Sequence, residues 1–134
     1  MSTPTTFLRV AIALQTLAVF SAPITAGLLL SSPGGRALHS ASAYGVFTVA
    51  LVHLVAAILV WRPGGGSPRP ILYAAGFLGL TLAQIALGIA QVMTLHLPLG
   101  VLMFGVSVLH LGRVTSWPPR HGRDEVIQAQ ARRG

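Results

Sequence analysis

Four long apolar runs, Phe7 to Leu30, Leu38 to Val60, Ile71 to Met93 and His96 to Trp117, constrain this chain more than any other feature. At a rise of about 1.5 Å per residue each run reaches roughly 33 to 36 Å, which is sufficient to cross a hydrocarbon core about 30 Å thick. Only 8% of the 134 residues are charged and the mean hydropathy is +0.74. Soluble domains carry roughly 25% charged residues, so this chain cannot cover its surface in water as they do. The expected fold class is all-α, a polytopic membrane protein built as an up-down-up-down four-helix bundle. The transmembrane domain should occupy 1–117 and a basic tail 118–134. Little chain remains for a soluble catalytic domain, so any chemistry belongs among the helices.

Turn signals separate the runs: Ser31 to Gly35, then the Pro- and Gly-rich stretch from Pro63 to Pro70, and finally Pro118 and Pro119. The first run is too long for the hydrophobic region of a signal peptide and no A-x-A-like site follows it, so it is read as a helix. Pro23 within it predicts a kink. Trp61 and Trp117 are placed as interfacial anchors. The tail could form a short helix over Asp124 to Arg133, although a solvated cationic tail is the preferred reading.

The formal net charge of +7 looks like a nucleic-acid signal until the positions are considered. Arg9, Arg62, Arg69, Arg113, Arg120, Arg123, Arg132 and Arg133 fall on one side of the expected bundle, and only Arg36 on the other. That asymmetry is the positive-inside pattern. It places both termini in the cytoplasm of a bacterial inner membrane, with anionic lipid headgroups rather than nucleic acid as the partner.

The residues with chemistry to offer are histidines. The second run carries His39 and His53 and the fourth carries His96 and His110, with a separation of 14 residues in both. Fourteen residues rise about 21 Å and return to nearly the same helix face. The second and fourth helices run in the same direction, so His39 should lie level with His96 and His53 level with His110. A buried imidazole is costly without a partner, and a single one is often a core residue bonded to a carbonyl. Two equal intervals on two parallel helices favour a pair of ligand sites instead.

Zinc would need three or four ligands, and no Cys, Asp or Glu occurs in any span; the chain has no cysteine at all. Haem iron needs only two protein ligands, because the macrocycle supplies four. The expected cofactor is haem b, two per chain or one, held through bis-histidine ligation that favours electron transfer over oxygen chemistry. The histidine spacing resembles that of membrane b-type cytochromes, whose quinol-oxidising members hold two haems stacked across the membrane.

A second resemblance covers most of the chain. Leu38 and His39, the stretch Gln84 to Val92 and the segment Leu95 to Leu97 are similar to one four-helix half of haem A synthase, and to a small bacterial four-helix membrane family of unknown function. The resemblance to the synthase implies that His39 and His96 are haem ligands. Arg36 stands where the synthase has an acid, and its loop cysteines and second half are missing, so haem binding is implied rather than haem hydroxylation. The alternatives to a di-haem cytochrome are a single-haem or haem-handling module and a cofactor-free accessory subunit.

Around the ligands, Gly76 and Gly79 fall at the depth of His53 and His110, where a flat macrocycle would pass. Close helix packing is the simpler account of either glycine alone. Arg113 and Arg62 are candidates to pair with the propionates of the inner haem and Arg36 with those of the outer, with Arg62 the weakest candidate because it fits an interfacial role. Gln15 should lie near the inner pair, Gln84 between the two levels and Gln91 near the outer level. No carboxylate lies in a span, which argues against ion transport of the acidic-residue kind. A quinone or another redox protein is the expected redox partner.

Overall fold

The computed structural model describes residues 3–116 and 130–131. Its ordered elements are α1 (Thr3–Ser31), α2 (Gly35–Trp61), α3 (Arg69–Ile89) and α4 (Met93–Thr115), with no strand among the described residues. Each helix is long and apolar enough to cross a membrane. Trp117, His121 and all of the tail helix expected over Asp124 to Arg133 except 130–131, which are helical, lie outside the described residues.

The helices begin earlier than the apolar runs suggested. The first turn joins α1 to α2 through three residues, and glycine makes it possible. Gly34 has φ 86°, and a side chain at the buried Gly35 would collide with the Leu28 carbonyl. Because α2 therefore starts at Gly35, Arg36 sits in its first turn and His39 lies a full turn inside. The far end of α3 is also displaced. It ends at Ile89 rather than Met93, closed by a pair of bonds from Gln91 N–H to the Gly88 carbonyl (3.2 Å) and from Val92 N–H to the Leu87 carbonyl (3.0 Å). This is the Schellman arrangement, with Gln91 at φ 59° in the position glycine usually takes. The apolar residues Val92 and Met93 had concealed the break. Consequently α4 starts at Met93, and His96 also lies one turn inside its helix.

Each helix packs on the next, and α1 closes the ring on α4, whereas α2 and α4 face each other across the diagonal without close backbone approach. Contacts along α1 and α2 pair rising with falling numbers: Gln15 meets His53 and Thr25 meets His39. Helix α1 runs through Pro23 without interruption.

Two apolar clusters fill the interior. One joins Leu8, Ala11 and Ile12 to Ala56, Ala57 and Ala74; the other joins Val19, Val46, Ala50, Phe77 and Met103. Alanine at so many contact positions lets the helices approach closely. Between the clusters lies a polar layer of Gln15, Thr16, His53 and Ser107, all buried. Thr16 and Ser107 tie α1 to α4 through a hydroxyl pair 2.8 Å apart, and the Thr16 hydroxyl also reaches the Ile12 carbonyl (3.0 Å). The outer surface is the reverse of a soluble protein's, with Leu14, Leu17, Leu72, Ile89, Val101 and Leu109 all exposed. A lipid environment solvates such a surface, and the polar side chains turn inward to satisfy one another.

Candidate functional site

Imidazoles from α2 and α4 meet at two levels along the bundle diagonal. At the end bearing the α1–α2 and α3–α4 turns, His39 and His96 have ring centroids 6.3 Å apart, with their planes at 75°. At the arginine-bearing end, His53 and His110 are 5.7 Å apart, with planes at 52°. The equal intervals in the sequence thus bring together the two pairs anticipated.

Each ring of the first pair is held by its Nδ1. His96 Nδ1–H donates to the Gln84 carbonyl (3.0 Å), while the Gln84 amide nitrogen donates to the His96 carbonyl (2.7 Å). Glycine permits this clasp. A Cβ at Gly88 would lie 3.2 Å from His96 Cε1, and one at Gly100 would lie 2.9 Å from Gln84 Nε2. Across the site, His39 Nδ1 lies 3.2 Å from Thr25 Oγ1. The Thr25 hydroxyl also reaches the Ala22 carbonyl (3.0 Å). Ser42 completes the cluster, 2.9 Å from Thr25 and donating to the His39 carbonyl at 2.8 Å. The His96 ring therefore carries its proton on Nδ1 and presents an Nε2 lone pair, and the His39 ring is likewise held by its Nδ1. A second oxygen fixing the tautomer in this way is the usual setting of a metal-binding histidine.

The two rings line a cleft of about 430 Å³ whose walls are almost wholly apolar, among them Val46, Phe104 and Met103. That volume lies within the range of roughly 300 to 1,000 Å³ typical of cofactor and small-molecule sites. Phe20 and Val101, exposed on α1 and α4, stand at its outward side. The two ring centroids stand 6.3 Å apart across this cleft. The donor set, the free nitrogens and the apolar cleft therefore fit a planar bis-imidazole cofactor.

The second pair is equipped differently. His53, 1% exposed, donates from Nδ1 to Gln15 Oε1 at 2.8 Å. Its Nε2 is buried and has no hydrogen-bond partner. His110 stacks obliquely on Tyr73, with centroids 5.2 Å apart. The cavity they line holds about 200 Å³, less than half the first, and the ring centroids are 5.7 Å apart.

The expected supporting residues divide accordingly. Gln15 reaches the inner pair and anchors His53, and Gly76 lines the smaller cavity, whereas Gly79 lines neither. Arg62 is exposed and stacks over Trp61 at 4.9 Å. Arg113 is exposed in the last turn of α4, and Arg36 is exposed one turn before His39. Gln84 is not between the levels but at the first pair. Gln91 makes no interhelical bond; it is exposed and turns back to the Gly88 carbonyl (2.7 Å). Thr25, Ser42 and Tyr73 were missed because a single polar residue in an apolar run does not reveal which neighbouring helix it faces. Spacing offered a partial signal, since Thr25 is 14 residues from His39 in the chain.

No family model, curated protein or solved structure matches this chain. The site must be interpreted from its own chemistry.

Proposed function

We propose that the protein is a multi-pass protein of the bacterial cytoplasmic membrane that binds b-type haem between His39 and His96. The observation carrying this reading is the paired imidazoles, each with Nδ1 bonded to oxygen and Nε2 free, 6.3 Å apart in an apolar cleft. The helices are taken to run up-down-up-down, with the arginine-bearing end and both termini in the cytoplasm by the positive-inside rule. The His39–His96 site then lies toward the outer face. Haem held by two imidazoles supplies reversible one-electron chemistry, with a quinone or redox protein as exchange partner.

The chain's own contribution is positioning and exclusion. Thr25 and the Gln84 carbonyl hold the two rings by their Nδ1 atoms, and Gly88 leaves room for His96. Val46, Met103 and Phe104 keep the site apolar, and Arg36, exposed one turn before His39, is the nearest cation along α2. The two pairs are unequally prepared, so the proposal is confined to one haem at the first.

A pyridine haemochrome assay on protein purified after expression with ample haem supply provides the test, with electron paramagnetic resonance reporting the ligation. One low-spin haem per chain, lost in His39→Ala and His96→Ala, is the expected result. Colourless protein refutes haem binding, and a high-spin signal refutes the ligation. Two haems per chain would extend the assignment to His53 and His110.

A further inference from the structure

Among the described residues the buried side-chain polar groups are consistently paired, with two exceptions: Gln84 Oε1 and His53 Nε2. Both belong to residues that line cavities. At the smaller cavity the unmet capacity is greater. His110 and Tyr73, the latter 55% exposed, also make no hydrogen bond among the described residues and line the same cavity. By contrast, the neighbouring Gln15, Thr16 and Ser107 are all bonded. Leaving a buried acceptor unpaired is unfavourable, and the cost is greater in a low-dielectric interior.

Chemical preference at this cavity follows from the tautomer. Gln15 Oε1 holds the proton of His53 on Nδ1, so Nε2 can only accept, and its natural partner is a hydroxyl donor. The Tyr73 hydroxyl and His110 can serve a second oxygen. The remaining walls, Leu72, Gly76, Phe77, Leu80 and Val106, are apolar, and Leu72, Tyr73 and Val106 are exposed toward lipid. His53 lies eight residues from Trp61, roughly 12 Å along the helix and within the apolar zone. A simple metal ion lacks a donor set, because no group of three His, Cys, Asp or Glu side chains occurs among the described residues. About 200 Å³ suits a single ring rather than a macrocycle.

We infer that the cavity between His53, Tyr73 and His110 is a binding site for the hydroxyl-bearing ring of a membrane-soluble hydroquinone, which donates a hydrogen bond to His53 Nε2. The ring enters from the lipid between α3 and α4, the sides that contribute Leu72, Tyr73 and Val106. This assignment names a site for the exchange partner proposed above, yet binding there does not require haem at His39 and His96.

The experiment uses the full chain in lipid nanodiscs with ¹⁵N-labelled histidine, titrated with decylubiquinol and, separately, with its dimethyl ether, which cannot donate. Decylubiquinol is expected to move the His53 Nε2 resonance saturably, and the ether to bind about tenfold more weakly, as loss of one hydrogen bond predicts. Tyr73→Phe, which retains the ring contact with His110, is expected to weaken decylubiquinol by several-fold. His39→Ala should lose haem and retain the decylubiquinol response. Absence of a saturable His53 shift, or equal binding of the ether, overturns the site. A second haem lost in His53→Phe would also overturn it while sustaining haem binding. Colourless protein that still binds decylubiquinol would refute the haem reading alone.

Discussion

Replacing Gln15 by leucine isolates the bond on which the smaller site depends. Gln15 and His53 are 2% and 1% exposed, and their contact at 2.8 Å uses the only proton of the imidazole. Gln15→Leu preserves the bulk of the side chain and removes the acceptor, leaving both ring nitrogens unpaired in the interior. His53→Phe leaves one amide unpaired but also removes the Nε2 that has no partner at present. A buried polar group stripped of its partner costs about 1 to 3 kcal/mol. Interhelical bonds measured in membranes average about 0.6 kcal/mol with a maximum near 1.7, because the unfolded helices also find partners. Gln15→Leu should therefore destabilise by about 1 to 2 kcal/mol and His53→Phe by less. The double variant should be more stable than the sum of the singles by about 1 kcal/mol, since replacing both partners by apolar groups removes the unmet demand. Reversible unfolding in mixed dodecylmaltoside and dodecylsulfate micelles, followed by circular dichroism, measures all four proteins. Additive effects would refute the bond as a paired unit, and a stabilising Gln15→Leu would refute the tautomer built on it.

Other positions give independent checks. Thr16→Val and Ser107→Ala should couple by about 0.6 kcal/mol in the same unfolding cycle, because their hydroxyls meet 2.8 Å apart between α1 and α4. Gly88→Ala brings a methyl group to 3.2 Å from His96 Cε1, so it should lower haem occupancy in the haemochrome assay while leaving helix content unchanged. Gln91→Gly should be close to neutral in the micelle assay: relief at φ 59° is worth about 1 kcal/mol, but the bond to the Gly88 carbonyl is lost. Gln91→Val keeps the left-handed position and loses that bond, so it should destabilise by about 1 kcal/mol or more.

The four helices were legible because lipid-scale hydrophobicity is a property of whole segments and survives without knowledge of which face points where. The histidine levels were legible for a related reason: 14 residues return a helix to nearly the same face whatever its rotation. The partners of those histidines were not. Gln84 shows why, because its level depends on where α3 ends, and that end is set by Gln91 entering a left-handed conformation within an apolar run. Shifting the break from Met93 to Ile89 moves α4 along α3 and brings Gln84 to His96. Tyr73 was hidden in the same way, since an aromatic near a helix end reads equally well as an interfacial residue.

The inequality of the two sites follows from what surrounds the diagonal. Helices α2 and α4 do not approach closely, so only side chains as long as imidazole can meet between them, and each meeting leaves space beside it. At the His53 level, Gln15 of α1 and Phe77 of α3, with Ser107 of α4 itself, occupy much of that space. At the His39 level, the nearby residues of α1 are the smaller Ala22, Pro23 and Ala26, and Gly100 opens α4, so the cleft is roughly twice as large. Enlarging the smaller cavity should then shift its preference toward a larger ligand. Phe77→Ala removes a ring that is 5% exposed from the wall beside His53 and His110, and a vacated volume next to two imidazoles is the feature the His39 cleft already has. The variant should gain haem at His53 and His110, raising stoichiometry from one to two in the haemochrome assay, and should lose its decylubiquinol response. Unchanged stoichiometry in a folded Phe77→Ala protein would show that volume is not what separates the two sites.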